Sequence, residues 1–281
     1  MFAIVDKCRT FVEKKRMEIS RNLTEEEHKH LREKYNPDGS LLRRDQMELL
    51  KMMQAFAEIC KKHDIKWWLS SGTLLGAARH HGFIPWDDDV DVVMMRKDYK
   101  RLEKILLAIP ENESEYFFQT IKSDIEYVNV WGKFRKKEGC VNTSGRYKWF
   151  RYRGVGMDVF SLEKNNYIIS RTSCKIYSEL QHLSLYIKKR LFRRICIRVI
   201  EVLCLGVINS FLRLLSKVFR SNAYRYSLGS GWATHRFYEK DIFPLKTAEF
   251  EGGGNFLSPT IWMLILLMYM VIGVSYPLRM I

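Results

Sequence analysis

An acidic run, Asp87-Asp88-Asp89-Val90-Asp91, limits most strongly the folds that this chain can adopt. An apolar tripeptide precedes it, and Val90–Met95 reads as a buried strand. Because side chains at i and i+2 of a strand point to one side, we expect Asp89 and Asp91 to project together, with Asp87 joining them from the loop. Carboxylates at the mouth of a buried strand cost free energy that a solvated loop avoids. The pattern therefore favours an acid cluster that binds a cation.

Carboxylates crowded on one face repel each other unless a cation lies between them. A ligand set made only of oxygen favours Mg²⁺ or Mn²⁺. We predict that Asp87, Asp89 and Asp91 bind this metal and that Asp89 and Asp91 are catalytic. Mg²⁺ usually keeps one or two carboxylates together with substrate phosphates, which predicts a phosphate-bearing substrate. A solvated acidic loop is the alternative interpretation.

A Ser-Gly turn, Ser71-Gly72-Thr73, lies ahead of the acids, between a predicted strand at Lys66–Leu69 and a predicted helix at Thr73–His80. Glycine lets the backbone approach a ligand closely, and a helix N-terminus offers free N–H groups to a phosphate. We predict that these three residues bind a donor phosphate and that Gly82 caps the helix. Strand, Ser-Gly, helix, loop and an Asp-x-Asp strand form the layout of the nucleotidyltransferase fold.

Further polar residues occur in two later strand patterns. Asp158, within the predicted strand Val155–Phe160, is either a hydrogen-bonded structural residue or, if its strand lies beside the Asp-x-Asp strand, a further metal ligand or the base for an acceptor hydroxyl. Lys133 and Arg135 share a face of a predicted strand, and Arg79 precedes the acids. These cations either neutralise donor phosphates or form a solvated basic face.

The remaining pattern alternates helices and strands. We predict helices at 43–63 and Asp98–Leu107, a strand at Tyr127–Phe134, and a basic, mostly helical region at 172–220. The predicted fold class is α/β (α+β), a nucleotidyltransferase-like mixed sheet flanked by helices, with a basic helical insertion. The predicted segments are a polar N-terminal extension (1–42), a catalytic core (43–165), a basic helical region (166–250) and an apolar tail (251–281).

Composition adds constraints on location and partners. The 281 residues carry a formal charge of +15, which suits an anionic nucleotide, membrane phosphates or nucleic acid. The six cysteines form no CxxC pair, which predicts free thiols in a reducing compartment. The charged stretch Met1–Ser20 lacks the apolar run of a signal peptide. We therefore expect a cytoplasmic protein.

An apolar stretch at 191–219 is interrupted by charged residues such as Arg198 and Arg213. A membrane-spanning helix needs about 20 predominantly apolar residues, so we do not expect this stretch to cross a bilayer. Arginines and a lysine flank it, which suits a helix lying on the inner face of an anionic plasma membrane. A buried hairpin of helices is an equally good interpretation.

The stretch Tyr35–Asp91 resembles the LicD family closely, and its centre reads SSGTLLGAARHHGFIPWDDDVDVVM. Lys133-Phe134-Arg135 and Gly156–Phe160 are similar to later parts of the same family pattern. The resemblance implies a nucleotidyltransferase-like core that transfers phosphocholine from CDP-choline, or a similar group from a CDP-linked donor, to a cell-surface glycan. By position it implies metal-binding acids, a donor-phosphate turn and a further acid at Asp87, Asp89, Asp91, Ser71, Gly72 and Asp158.

The chain ends differently from the family pattern. Ile261–Val274 is apolar throughout, where the resemblance implies a polar ending with a Tyr-Gly-Asp-Trp-like motif. Suitable codons for 257–281, read in a shifted frame, encode such a motif, and Gly252-Gly253-Gly254 permits a slip-prone guanine run. We hypothesise that the residues after Gly254 are out of frame. Sequencing the gene tests this, and a second frame that lacks the motif contradicts it.

These observations lead to one expected function and two alternatives. We expect a divalent-metal-dependent phosphotransferase acting on a lipopolysaccharide, capsule or teichoic acid precursor, with a peripheral membrane contact and no nucleic acid partner. One alternative is an Asp-x-Asp glycosyltransferase that uses a nucleotide sugar; the Ser-Gly turn before the acids disfavours it. The other is an inactive or basic protein that binds nucleic acid or membranes, which the net charge permits.

Overall fold

A computed structural model describes residues 23–140, 148–187, 189–219, 221–232, 235–252 and 254–261. These residues form two compact units, each assembled from separate stretches of sequence. The first unit takes the described residues of Met1–Met47, Trp68–Asp91 and Glu239–Ile281, and the second takes those of Glu48–Trp67 and Val92–Tyr238.

Helices and strands alternate along the described residues. The helices are α1 (Glu25–Tyr35), α2 (Leu41–Lys62), α3 (Ser71–His80), α4 (Arg96–Ala108), α5 (Tyr167–Leu185), α6 (Arg190–Ile200), α7 (Asn209–Val218) and α8 (Glu239–Ile242). A 3₁₀ turn, Glu111–Glu113, follows α4, and a π-helical segment, Glu201–Ile208, joins α6 to α7. The strands are β1 (Trp67–Leu69), β2 (Asp91–Met95), β3 (Tyr116–Gln119), β4 (Gly132–Lys136), β5 (Gly156–Lys164), β6 (Ala223–Tyr226), β7 (Phe237–Tyr238), β8 (Lys246–Phe250) and β9 (Gly254–Ser258).

The second unit is built on a sheet in which β2, β5, β4 and β3 are neighbours in that order. β3, β4, β5, β6 and β7 pair antiparallel in turn, with β6 on β5 and β7 on β6. The whole arrangement is a mixed sheet of parallel and antiparallel strands flanked by helices, so the predicted α/β class with a mixed sheet is confirmed. The strand that carries Asp158, β5, lies beside β2, the strand that follows the acidic run.

The apolar stripe of α2 forms much of the core of the second unit. Met52, Met53 and Phe56 are fully buried, and the ring of Phe56 packs edge-on against Trp67 and Phe134, with centroids 5.3 and 5.5 Å away. Apolar residues at helical spacing predict this helix, and its observed bounds agree with the predicted 43–63. Because one face of α2 is buried, the spacing of its apolar residues was sufficient to predict the helix from the sequence.

In the first unit, the antiparallel hairpin β8–β9 is fastened to the segment that follows α3. The side chain of Glu251 accepts a hydrogen bond from the Phe83 N–H at 3.0 Å and pairs with Arg43 at 2.7 Å. The Glu251 N–H in turn donates to the His81 carbonyl at 2.7 Å. The part of the tail within 254–261 is thus a paired strand and a short extension, and 262–281 lie outside the described residues.

Several predicted details were wrong. His81, with φ 51°, ends α3 in the left-handed conformation that we predicted for Gly82. The predicted strand Tyr127–Phe134 begins only at Gly132, because 127–131 form an irregular loop. The strands β3 and β6 to β9 were not predicted from the sequence, because short strands are stabilised mainly by pairing with strands distant in sequence. The free thiols predicted for the cysteines are confirmed for the five that the structure describes.

The basic region contains a continuous 29-residue helix, Arg190–Val218, formed by α6, the π-helical segment and α7. We call it the long helix. It is long and apolar enough to cross a bilayer by length and composition, with a mean hydropathy of 2.1 in its most apolar window, of which 22% is buried. Contrary to the prediction, its charges do not exclude a span by length and composition. One continuous and largely exposed helix replaces the predicted buried hairpin.

Candidate active site

Three consecutive carboxylates, Asp87, Asp88 and Asp89, converge in the loop before β2, with one oxygen of each within 4.8 Å of the others. Asp87 and Asp89 are half-buried, whereas Asp88 is exposed. β2 begins at Asp91, so the acids lie in irregular backbone, where the alternation of a strand does not apply. The structure thus brings together two of the predicted ligands and adds Asp88, while Asp91 is buried outside this group. We call Asp87, Asp88 and Asp89 the acid cluster.

The acid cluster concentrates negative charge where water is scarce. Burial, together with the charges of Asp89 and Asp88, raises the pKa of Asp87 from 3.8 to about 8. A bound divalent cation would remove this cost, because it attracts all of the carboxylates at once. The residues therefore fit an oxygen-ligated cation.

The predicted phosphate turn lies directly against the acid cluster. A Cβ atom at Gly72 would lie 2.7 Å from Oδ2 of Asp87, so any other residue here would displace this carboxylate. Ser71, at the first position of α3, has φ 48°, a conformation that is unfavourable for a residue with a side chain. Backbone strain of this kind is often found at functional sites. The turn and the acids thus form one local arrangement within the first unit.

Thr73 holds the start of β2. Its hydroxyl accepts a hydrogen bond from the Asp91 N–H at 2.8 Å, and the Ser70 N–H donates to the Asp91 carbonyl at 3.0 Å. All of these groups are buried, so the bonds are well protected from water. Thr73 therefore fixes the backbone of Asp91, the residue at which β2 begins. Its predicted contact with a donor phosphate stays a prediction.

A buried glutamine, Gln46, also holds the acid loop in place, and it was not predicted from the sequence. The side-chain amide of Gln46 donates to the carbonyls of Asp87 at 2.8 Å and Ile84 at 3.3 Å. Its oxygen accepts from the buried Asn36 amide at 2.7 Å. The available signal was a polar residue inside the apolar stripe of α2, which requires hydrogen-bond partners when buried.

Arg79 lies at the far end of α3. It is in the last turn of the helix, so about 12 Å of helix separates it from Ser71. Its charge contributes, after burial and the neighbouring His28, to a pKa of His80 that is lowered to about 3. The structure thus places Arg79 in a basic and histidine-rich environment rather than at the turn. Its predicted role at a donor phosphate stays a prediction.

The remaining predicted residues lie in the second unit. Asp158 is opposite Lys133 on the neighbouring strand, and their side chains form an ion pair at 3.2 Å. The same carboxylate oxygen accepts from the Trp131 indole N–H at 3.2 Å. Arg135 shares the Lys133 face but is buried, and it donates to Gln119 at 2.9 Å and to the Gly154 carbonyl. Arg135 thus supports the sheet, while the half-buried Lys133–Asp158 pair is closer to solvent.

Comparison with known proteins places this arrangement in a family. Residues 64–188 match the family model described as LicD/FKTN/FKRP, nucleotidyltransferase domain. This stretch of the chain is similar to the LicD family. The match includes the Ser-Gly turn, the acid cluster and Asp158, so the LicD resemblance of the sequence is confirmed.

Curated relatives share shorter stretches. The lipopolysaccharide cholinephosphotransferase LicD of Haemophilus influenzae is 48% identical over 79 residues, which cover 28% of this chain and 29% of that protein. Human ribitol 5-phosphate transferase FKRP is 46% identical over 41 residues, which cover 15% of this chain and 8% of that protein. Mouse ribitol-5-phosphate transferase FKTN is 39% identical over 74 residues, which cover 26% of this chain and 15% of that protein. The chain thus spans less than a third of the length of each of these relatives.

Proposed function

We propose that this LicD-family chain is a divalent-metal-dependent phosphotransferase, which moves phosphocholine or a similar phospho-group from a CDP-activated donor to a cell-surface glycan. Two relatives with different names, a cholinephosphotransferase and a ribitol 5-phosphate transferase, share the transfer of a phosphate-linked group. The observation that carries the proposal is the acid cluster packed against Gly72 at the start of α3.

In this proposal, Asp87, Asp88 and Asp89 hold Mg²⁺ or Mn²⁺. Carboxylate oxygens suit these ions, and Mg²⁺ commonly completes its coordination with water and substrate phosphates. When bound, the metal supplies positive charge that offsets the negative charge of a diphosphate. The raised pKa of Asp87 is the physical reason to expect a cation here, since the proton that Asp87 retains is what the ion replaces.

The turn at the start of α3 is the proposed binding site for the donor phosphates. Gly72 has no side chain to obstruct a ligand, and α3 is ten residues long, so its N-terminal N–H groups carry a partial positive charge. The backbone at Ser71 takes the strained conformation, with φ 48°, that this shape requires. The chain's own contribution is therefore to orient a diphosphate next to the acid cluster.

Asp158 is the proposed base that accepts the proton of the acceptor hydroxyl. The Trp131 indole and the Lys133 ammonium group both bond to its carboxylate, which fixes the orientation of the side chain. These contacts equally suit a structural aspartate, as the sequence pattern also allowed. The base and structural roles differ in one measurable respect: removal of a base lowers turnover while donor binding stays intact.

The chemical nature of the product tests the proposed function. The full chain is incubated with Mg²⁺, a cell-envelope glycan extract and CDP-choline labelled in its choline-linked phosphate. We expect the label to appear in a phosphodiester on the glycan. Transfer of a plain sugar from a nucleotide sugar, with no label transferred from CDP-choline or from CDP-ribitol labelled in the same way, would instead support the glycosyltransferase alternative.

A further inference from the structure

The long helix presents an unusually apolar surface to solvent. Large apolar side chains recur along one face at helical spacing and are each roughly half exposed or more, among them Phe192, Ile195, Val199, Val202, Phe211 and Leu214. Ile195 and Val202, for example, are 53% and 54% exposed. Soluble proteins rarely expose a contiguous apolar face of this length, and such faces usually mark an interaction site. We call it the apolar face.

The opposite side of the long helix is packed against other elements of the second unit. Ile197 is buried against Ile121 and Val128. Near the N-terminal end Arg193 pairs with the buried Glu126 at 2.5 Å, and near the C-terminal end Arg213 bonds to Glu163 at 2.8 Å. Crossing a bilayer would break these ion pairs and leave their charges unpaired in hydrocarbon. These contacts therefore favour a helix that remains packed on the rest of the second unit and does not cross a bilayer.

The charges beside the apolar face are positive. Arg190, Arg194 and Arg198 have side chains that are 56%, 47% and 51% exposed. Their acidic neighbours are the single buried carboxylate of Glu126, which Arg193 also shares, and Glu201. The whole chain carries a surplus of +15. A second copy of this chain would bring like charges together, whereas an anionic surface would complement them.

We infer that the apolar face binds an anionic lipid surface, with its large side chains inserted among the acyl chains and the arginines contacting the lipid phosphates. An amphipathic helix with apolar residues on one face and arginines beside them is the common design for such binding. The inference does not depend on the proposed catalytic activity. It concerns a segment that begins after residue 188, where the family match ends.

The experiment is co-sedimentation of the full chain with phosphatidylcholine vesicles that either contain or lack phosphatidylglycerol. We expect binding to the anionic vesicles that weakens as salt is added, and little binding to the neutral ones. The Ile195→Glu/Val202→Glu variant should bind the anionic vesicles at least about tenfold more weakly, because burying the exposed halves of both apolar side chains together contributes about the energy of a tenfold change or more. An Ile195→Gln/Val202→Gln variant provides a milder second test that adds no charge.

The matched control is Leu41→Glu/Ile168→Glu, which changes two large apolar residues that are each 72% exposed outside the long helix. The control should bind as the unmodified chain does. Equal binding by the Ile195→Glu/Val202→Glu variant would overturn the inference and point to another segment, such as the apolar Ile261–Val274. Binding that ignores phosphatidylglycerol, or a vesicle-free dimer that the same variant dissociates, would also overturn it.

Discussion

At the scale of single residues, the candidate site is a balance of repulsion and close packing. The carboxylate of Asp87 lies against the bare backbone of Gly72 and next to Asp88 and Asp89. Such an arrangement is unfavourable in the metal-free protein at neutral pH, since the folded chain must either keep a proton on Asp87 or carry a buried negative charge. Residues that lower stability in this way are expected at sites selected for binding.

Asp87→Asn should therefore stabilise the metal-free protein and abolish stabilisation by metal. The folded pKa of Asp87 is raised to about 8 from 3.8, so its unfavourable contribution is absent below pH 3.8 and grows as the pH rises toward 8. At pH 8 we expect the variant to gain about 1 kcal/mol or more in free energy of unfolding without metal. Thermal unfolding with and without Mg²⁺ measures both effects.

The exposed Asp38→Asn variant is the control, and it should change neither quantity. A lower stability of metal-free Asp87→Asn at pH 8, with the Mg²⁺ response retained, would show that Asp87 is stabilised by contacts within the protein and does not bind the ion.

Gly72→Ala should weaken the site by displacing the Asp87 carboxylate, which a Cβ atom would approach to 2.7 Å. A misplacement of about 1 Å lowers a rate on the order of 100-fold, so we expect a loss of that size in phosphotransfer. Gly231→Ala, where a Cβ atom meets nothing within 4 Å, should retain activity. Equal activity of the two variants would show that the close approach has no catalytic importance.

His80 makes the stability of the first unit sensitive to acid. Burial, followed by the charges of His28, Arg79 and His81, lowers its pKa from 6.5 to about 3. The unfolded chain takes up a proton below pH 6.5 while the folded chain does not, so the contribution of neutral His80 to stability is present above pH 6.5 and is lost as the pH falls toward 3.

A His80→Gln variant should thus show a shallower fall in free energy of unfolding over this pH range than the unmodified chain. The difference in slope is at most about 1.4 kcal/mol per pH unit, as for any single titrating group. Urea unfolding at a series of pH values measures the slope, with the exposed His30→Gln as the control. Parallel curves for His80→Gln and the unmodified chain would contradict the assignment.

At the scale of elements, α2 supplies apolar residues to the core of the second unit and Gln46 to the acid loop of the first. Its apolar residues were sufficient to predict the helix, because burial of one face imposes a helical period. The role of Gln46 was not predictable, because its partners Ile84 and Asp87 are the carbonyls of a distant loop. Asp88 was not predicted as a member of the acid cluster for a similar reason. The alternation of a strand would point its side chain away from Asp87 and Asp89, whereas the observed loop brings the three carboxylates together.

Gln46→Ala should loosen the acid loop. It removes bonds to two carbonyls and to the Asn36 amide, and a buried polar group left unpaired costs about 1–3 kcal/mol. We expect a loss of this size in free energy of unfolding and weaker Mg²⁺ binding by titration calorimetry. Gln54→Ala, an exposed position on the same helix, should change neither. If Mg²⁺ binding is unchanged in Gln46→Ala, the loop does not need this support.

At the scale of the whole molecule, the family match and the long helix occupy different stretches. The LicD-family match covers 64–188, and the long helix Arg190–Val218 follows it. The Ser-Gly turn and the acidic run were predictable because each depends on local sequence, and the order of helices and strands along the chain predicted the mixed-sheet class. The extent of the exposed apolar surface was not predictable, because it depends on which side of the long helix is covered by the rest of the second unit.

The most direct test of the central claim is Mg²⁺-dependent release of CMP from CDP-choline or CDP-ribitol in the presence of a cell-envelope glycan extract. We predict that the full chain releases CMP, that chelation of the metal stops it, and that Asp89→Asn lowers the rate on the order of 100-fold or more while Asp38→Asn does not. Release that persists after chelation, or that is equal in Asp89→Asn and the unmodified chain, would contradict a metal-dependent site at the acid cluster.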